Sequence, residues 1–267
     1  MSPLTTFIDV EGVYNFHDIA AHSKYGGNIR LGFIFRSAQP YSATAASIEQ
    51  MRRLGITTIF DLRADAEVAE TNKVTPLREL EGLHRVSAPV FQSKEMKVAD
   101  QLMAYFLNDT QTMMATYARM LTEGPDCFRR IFCHLRDHAR DPCILQCALG
   151  KDRTGVATAL ILSLAGVPEQ LIAEEYALTN IGLEAYRPLA RKFLATFSGL
   201  DWDEDKITAM LSVREGTMLA MLELLETEYE GVDGYLRDQC GFSGRDIESI
   251  KGNLRMAPEM EAMPIPE

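Results

Sequence analysis

An α/β fold, with a central sheet of short strands flanked by helices, is what this sequence predicts. Two observations carry the prediction. Short runs of β-branched and aromatic residues occur among longer segments of helical periodicity. In mid-chain, "CILQC" (143–147) passes through the loop "ALGKD" into the apolar "RTGVATALILSLAG" (153–166), a strand–loop–helix unit.

Each element follows from its own residues. "LGFIFRSA" (31–38) alternates and carries large apolar side chains, so it reads as a short strand. "TAASIEQMRRLG" (44–55) sets Ile48, Met51 and Leu54 at helical spacing between a threonine and Gly55, and reads as a capped helix. "ITTIFDLR" (56–63) is a β-branched strand ending in charge, and "HRVSAPV" (84–90) is a strand stopped by Pro89. Residues 98–122 and 126–140 have helical periodicity. Gly166 closes the central helix, Pro168 opens "PEQLIAEEYALTN", and "VREGTMLAMLELLETEY" (213–229) is a strongly amphipathic helix. No repeat or Ser/Gly linker interrupts the chain, which predicts one domain over 1–255. The acidic, proline-rich end, 256–267, is expected to be disordered.

Bulk properties narrow the function. A chain of 267 residues that is 46% hydrophobic can bury a proper core. A net charge of −11 argues against nucleic-acid binding or a polybasic membrane surface. An anionic substrate then needs a strongly local positive site. Five cysteines, at 127, 133, 143, 147 and 240, make a poor disulfide framework and fit a reducing compartment. The opening "MSPLTTFIDVEGVYNF" has no leader-like pattern, and no apolar run reaches 18 residues. The expectation is a soluble, cytoplasmic protein without a transmembrane segment.

The loop after Cys147 carries the chemistry. The backbone N–H groups of Ala148, Leu149, Gly150, Lys151 and Asp152, with the following helix N-terminus, make a cradle for a dianion. The same positive field favours the thiolate of a cysteine beneath it, the nucleophilic form. Gly150 permits a close backbone approach, Arg153 offers a planar fork for two phosphate oxygens, and Thr154 can donate to the sulfur. The implied reaction is phosphoryl transfer to sulfur and then to water. A Cys-x5-Arg pair alone is weak evidence. The other four cysteines have Cys133, Ala139, Leu149 and Asp246 at the sixth position on, and the flanking strand and helix are what single out Cys147.

"QCALGKDRTG" resembles the signature loop of the Cys-based protein tyrosine phosphatases. It is most similar to the atypical bacterial and fungal branch, whose loop reads His-Cys-x-x-Gly-Lys-Asp-Arg-Thr-Gly. "VYNFHDIAA", "GFIFRSAQP", "LGITTIFDLRADAEV", "EEYALTN" and the segment 213–254 resemble other parts of that branch, in the same order over roughly residues 10–255. The resemblance implies a tyrosine-phosphatase-like fold with extra C-terminal helices. It implies Cys147 as nucleophile, Arg153 as phosphate ligand and Thr154 as partner of the sulfur. It makes Asp152 the favoured general acid and Asp61 its competitor, with Arg63 as a supporting residue. Lys151 becomes a second cation near the phosphate, which brings phosphoinositides into view beside phosphotyrosine. No cofactor is implied.

Two positions depart from the pattern. Gln146 stands where the branch has histidine, and His17 where it has arginine. Because of Gln146, a catalytically silent phosphate-binding protein stays open as an alternative, and so does a phosphatase of a small metabolite phosphate. Elsewhere, His134 and His138 in "CHLRDH" read as packing residues rather than a metal pair. "DWDEDK" (201–206) reads as a solvated acidic turn, the methionine-rich "TMLAMLELL" as core, and Arg52–Arg53 as a solvated helix face.

The Gln146 departure generates a prediction. An imidazole beside Cys147 would carry partial positive charge that an amide cannot. Gln146→His should therefore speed iodoacetamide inactivation near pH 6. It should also raise kcat/KM near pH 6. Identical profiles for the two proteins would make Gln146 a packing change only.

Overall fold

Strand β5 (Cys143–Cys147) is buried at every position, which explains why "CILQC" lacks a polar face. It lies at the centre of a computed structural model that describes residues 6–21, 29–40, 42–74, 80, 82–91, 110–194 and 203–255. Its companions are β1 (His17–Asp18), β2 (Ile34–Ala38), β3 (Thr58–Asp61) and β4 (His84–Ser87). The sheet runs β1-β2-β5-β3-β4, antiparallel only between β1 and β2. Register sets Ala38 against Cys147, and Ser37 and Asp61 against Gln146. Because strand side chains alternate, Cys143, Leu145 and Cys147 enter one core while Ile144 enters another with Phe35 and Ile59.

The two faces are covered unequally. Helix α1 (Ala45–Arg53) covers the Ile144 face through Met51 and Ile48. Thr44 caps it by accepting from Ser47 N at 3.2 Å. Helix α2 (Asp65–Val74) follows β3. The Cys147 face carries α3 (Thr110–Glu123), α4 (Pro125–Asp137), α5 (Asp152–Leu164) and α6 (Glu169–Ala177). Beyond α7 (Thr179–Gly182), α8 (Arg187–Leu194) and α9 (Glu204–Leu211), that layer is completed by α10 (Glu215–Tyr229), α11 (Gly231–Asp238) and α12 (Gly244–Leu254). Helix α5 is buried on all sides except at Ser163, as its apolar sequence requires. Among the described residues no helix is long and apolar enough to cross a membrane.

Two glycines set the packing around the central loop. Gly150 has φ +63°, and a Cβ there would lie 2.3 Å from the carbonyl of Ser37. No other residue lets the loop cross β2 so closely. Gly155, one turn into α5, leaves room for the ring of Tyr176, which a Cβ would meet at 2.8 Å.

The strands and main helices fall where the sequence predicts them, with ends shifted by a few residues. The predicted helix 98–122 is seen as Thr110–Glu123, its first part lying outside the described residues, as does the 256–267 tail. The sequence reading missed β1, α2 and α7 to α9. Strand β1 is two residues long, and Val68 is the sole buried residue among the described side chains of α2, so neither has a readable period. Leu183, Ala190, Ile207, Met210 and Leu211 form a separate small core beside Ala38 and Leu149. It packs the α7–α9 region against the loop after β5.

Candidate active site

Cys147 ends β5 and is 3% exposed, Ala148 to Lys151 form the loop, and α5 opens at Asp152, one residue before the predicted start. The outer side of the loop is held by buried groups. Arg36 Nη2 donates to the carbonyls of Gly150 at 2.6 Å and Lys151 at 3.2 Å, while Nη1 donates to Glu175 Oε2 at 2.8 Å. Asn15 Nδ2 donates to the Gly150 carbonyl at 3.1 Å and to that of Leu149 at 3.4 Å. The Ala148 carbonyl accepts from Gln39 N at 3.3 Å. With no cis peptide in the described chain, each N–H points opposite to the carbonyl in its own peptide plane. Holding four successive carbonyls on one side therefore turns the N–H groups of Leu149, Gly150, Lys151 and Asp152 to the other. N–H groups gathered in this way at a helix N-terminus are suited to an anion.

The clamp has its own charge balance. Burial alone would raise the Glu175 carboxyl, but Arg36 and His17 outweigh it and hold it below the usual range, so it stays ionised. Burial lowers the His17 imidazole despite the bond to Glu175, 3.0 Å from Nε2, so this histidine is neutral. One guanidinium thus faces one carboxylate. The substitution of histidine for the branch's arginine leaves that pair undisturbed.

Several expected residues meet partners the sequence could not name. The Arg153 fork is paired end-on with Glu67 of α2, Nη1 to Oε2 at 2.6 Å and Nη2 to Oε1 at 2.9 Å. Lys151 Nζ reaches the carbonyls of Met210 at 2.8 Å and Ser212 at 3.2 Å, in the α9–α10 connection, and stands 3.8 Å from Asp152 Oδ2. Burial pushes its ammonium down, and Asp152 and Cys147 oppose that shift. The predicted bond from Thr154 to the sulfur is not formed, because Thr154 Oγ1 is buried without a partner. Its own i−4 acceptor, the Gly150 carbonyl, is already occupied by Arg36 and Asn15.

Asp61 does not suit the role of an acid. Burial would raise its carboxyl, but Arg63 and Arg85 overcome that and hold it low. Arg63 Nε and Nη2 grip both Asp61 oxygens at 2.8 and 2.6 Å, and Arg85 Nη2 adds a third contact at 2.7 Å. A carboxylate fixed between two guanidinium groups has no proton to give. Arg63, expected near the phosphate, is occupied by Asp61 and by Gln39 Oε1. Gln146 leaves the sheet on the face opposite Cys147, with its Oε1 buried and unpartnered.

Asp152 is surrounded differently. Tyr117 donates to its Oδ1 at 2.8 Å, and the Tyr176 hydroxyl, bonded to that of Tyr117, lies 3.3 Å from the same oxygen, contacts that sequence spacing does not reveal. Away from the loop, His134 Nε2 is bonded to the Asp141 carbonyl at 2.9 Å and its ring stacks on His138, as packing residues do. Among the described residues no cluster of three or more His, Cys, Asp or Glu is placed to hold a metal. Asp203 caps α9 by accepting from Lys206 N at 2.9 Å, while residues 201 and 202 lie outside the described chain.

A profile described as the tyrosine phosphatase family matches residues 8–256. The chain belongs to the tyrosine phosphatase family. Among its relatives, a protein of Cupriavidus necator named provisionally as a tyrosine-protein phosphatase is 28% identical, covering 90% of this chain and 85% of its own. The triple specificity protein phosphatase PtpB of Mycobacterium tuberculosis is 25% identical over 92% of this chain and 98% of its own. A tyrosine-protein phosphatase of Nostoc commune is 25% identical over 83% and 74%. The family match spans both the loop after β5 and the helices that hold it.

The clamp generates a stability prediction for the phosphatase. Glu175→Gln leaves Arg36 buried without a counter-charge, which should cost about 3 kcal/mol. Urea denaturation should show a lowered midpoint with an unchanged slope. A midpoint equal to wild type would mean that Glu175 does not hold Arg36 in place.

Proposed function

We propose that this phosphatase hydrolyses phosphate monoesters of the phosphotyrosine type through a cysteinyl-phosphate on Cys147. The observation that carries this reading is the outward clamping of the loop carbonyls by Arg36 and Asn15, next to Cys147 at the end of β5. It supports a fixed set of N–H donors over a thiolate.

In the first step the Cys147 sulfur attacks phosphorus. The S–P bond forms as the P–O bond to the leaving group breaks, and Asp152 gives its proton to the departing oxygen. The alcohol leaves neutral and Asp152 becomes a carboxylate. In the second step water attacks the same phosphorus and gives a proton to Asp152. The S–P bond breaks, its electron pair returns to sulfur, and inorganic phosphate departs. The loop N–H groups and Arg153 stabilise the charge on the equatorial oxygens, with Glu67 orienting the arginine fork. The Thr154 hydroxyl, unpartnered in the buried site, is suited to support the sulfur as a leaving group.

Family membership and the names of the relatives support phosphotyrosine as the first substrate class. Lys151 bears on the second. Its contacts with the carbonyls of Met210 and Ser212 draw the ammonium toward the α9–α10 connection, which favours a singly phosphorylated ester over a polyphosphorylated inositol headgroup. The name of the Mycobacterium tuberculosis relative is reason to assay both classes.

Cys147→Ser should abolish turnover, because a serine hydroxyl at this site does not ionise as a thiol does, while tungstate binding persists. Quench of wild type in alkaline detergent during turnover of phosphotyrosine peptide should trap a phosphate, stable to alkali and labile in acid, on the peptide containing Cys147. Residual activity above a few per cent in the serine variant, or no label on that peptide, would overturn the covalent mechanism.

A further inference from the structure

We propose that Tyr117 and Tyr176 are positioning residues that hold Asp152 Oδ1 and so confine the transferable proton to Oδ2. The inference rests on the reading of Asp152 as the acid given above.

Asp152 is the first residue of α5 and is 3% exposed. Tyr117 of α3 donates to its Oδ1 at 2.8 Å, and Tyr176 of α6 approaches the same oxygen at 3.3 Å. The two hydroxyls also hydrogen-bond each other, and their rings meet edge to face at 6.5 Å. Both side chains are buried. Two phenols have two O–H protons for these three contacts, so Tyr176 donates to the Tyr117 oxygen and Tyr117 donates to Oδ1; the carboxyl oxygen that accepts this O–H leaves its twin as the better seat for a proton. Burial, with Asp152 beside them, pushes both phenols well above their ordinary range, so they stay protonated and are not themselves acids. The glycine at 155 is what admits the Tyr176 ring against α5, where a Cβ would stand 2.8 Å from it.

The other charged groups facing this carboxyl are few. Lys151 Nζ stands 3.8 Å from Oδ2, with hydrogen bonds directed to the carbonyls of Met210 and Ser212. Cys147 acts on Lys151 and Arg36 on Tyr176 through space. Of the groups in hydrogen-bond contact with Oδ1, the tyrosines are the ones that fix which carboxyl oxygen is left for the leaving group. Removing the Tyr117 hydroxyl should cost the acid its aim.

Leaving-group dependence tests this. A poor leaving group needs the proton and a good one does not. Tyr117→Phe should lower kcat/KM about tenfold on phenyl phosphate and no more than about twofold on 2,4-dinitrophenyl phosphate. Tyr176→Phe, losing the hydroxyl that backs Tyr117, should show the same pattern more weakly, and provides the test if Tyr117→Phe does not fold. Equal losses on both esters in a folded variant would overturn the positioning role. Asp152→Asn is measured alongside. If it shows steep leaving-group dependence and the tyrosine variants do not, only this inference falls. If Asp152→Asn shows none, the reading of Asp152 as the acid fails, and the inference fails with it.

Discussion

Arg36 lies between a buried carboxylate and two carbonyls of the loop after β5, and the site depends on that arrangement. A guanidinium taken out of water is costly unless charge and hydrogen bonds replace its hydration. Glu175 supplies the charge, and Gly150 and Lys151 supply acceptors. The exchange is mutual, because the loop could not keep its carbonyls turned inward to the protein without a buried donor to meet them. Peptide planarity then aims the N–H groups the other way. Arg36 projects onto the same face of the sheet as Leu145, and Glu175 reaches it from α6, so the loop is braced by the sheet and by a helix together.

The arginines of this region each face a carboxylate, two of them the same one. Arg153 faces Glu67, Arg63 and Arg85 face Asp61, and Arg36 faces Glu175. In a chain of net charge −11, the proposed attraction for a dianion has to be local. On the proposed reading it comes from aimed N–H dipoles and the α5 N-terminus, with Arg153 as the arginine adjacent to them. Dipoles fixed in advance need no reorganisation when charge moves onto the phosphate oxygens. The same pairing separates two aspartates. Asp61 receives bonds from cations and stays ionised, whereas Asp152 receives bonds from neutral hydroxyls on one oxygen. Chemical identity alone does not distinguish them, but their surroundings do.

Much of this was legible in the sequence, and the rest was not for definable reasons. The strand–loop–helix around Cys147 is local, so the alternation, the glycine and the apolar helix announce it. Cys147, Asp152 and Arg153 are neighbours on that unit, and their placement follows from it. The partners are another matter. Arg36 and Glu175 are 139 residues apart, and Tyr117 and Asp152 are 35 apart, distances at which no periodicity speaks. Which carboxylate Arg63 would choose depends on how β3 and β4 pair, and the direction of Lys151 depends on where α9 ends. Long-range polar contacts of this kind are set by packing, and a single sequence carries no signal for them.

The most direct test of the account is calorimetric titration of orthovanadate into wild type and Arg36→Lys. Lysine keeps the positive charge but cannot reach Glu175 and both carbonyls from one plane. If the outward clamp is what aims the N–H groups, the folded variant should bind vanadate about a hundredfold more weakly, equivalent to about 2.7 kcal/mol. Affinity within about twofold of wild type, well under 1 kcal/mol, would mean that the loop holds its shape without Arg36, and the central claim would be wrong.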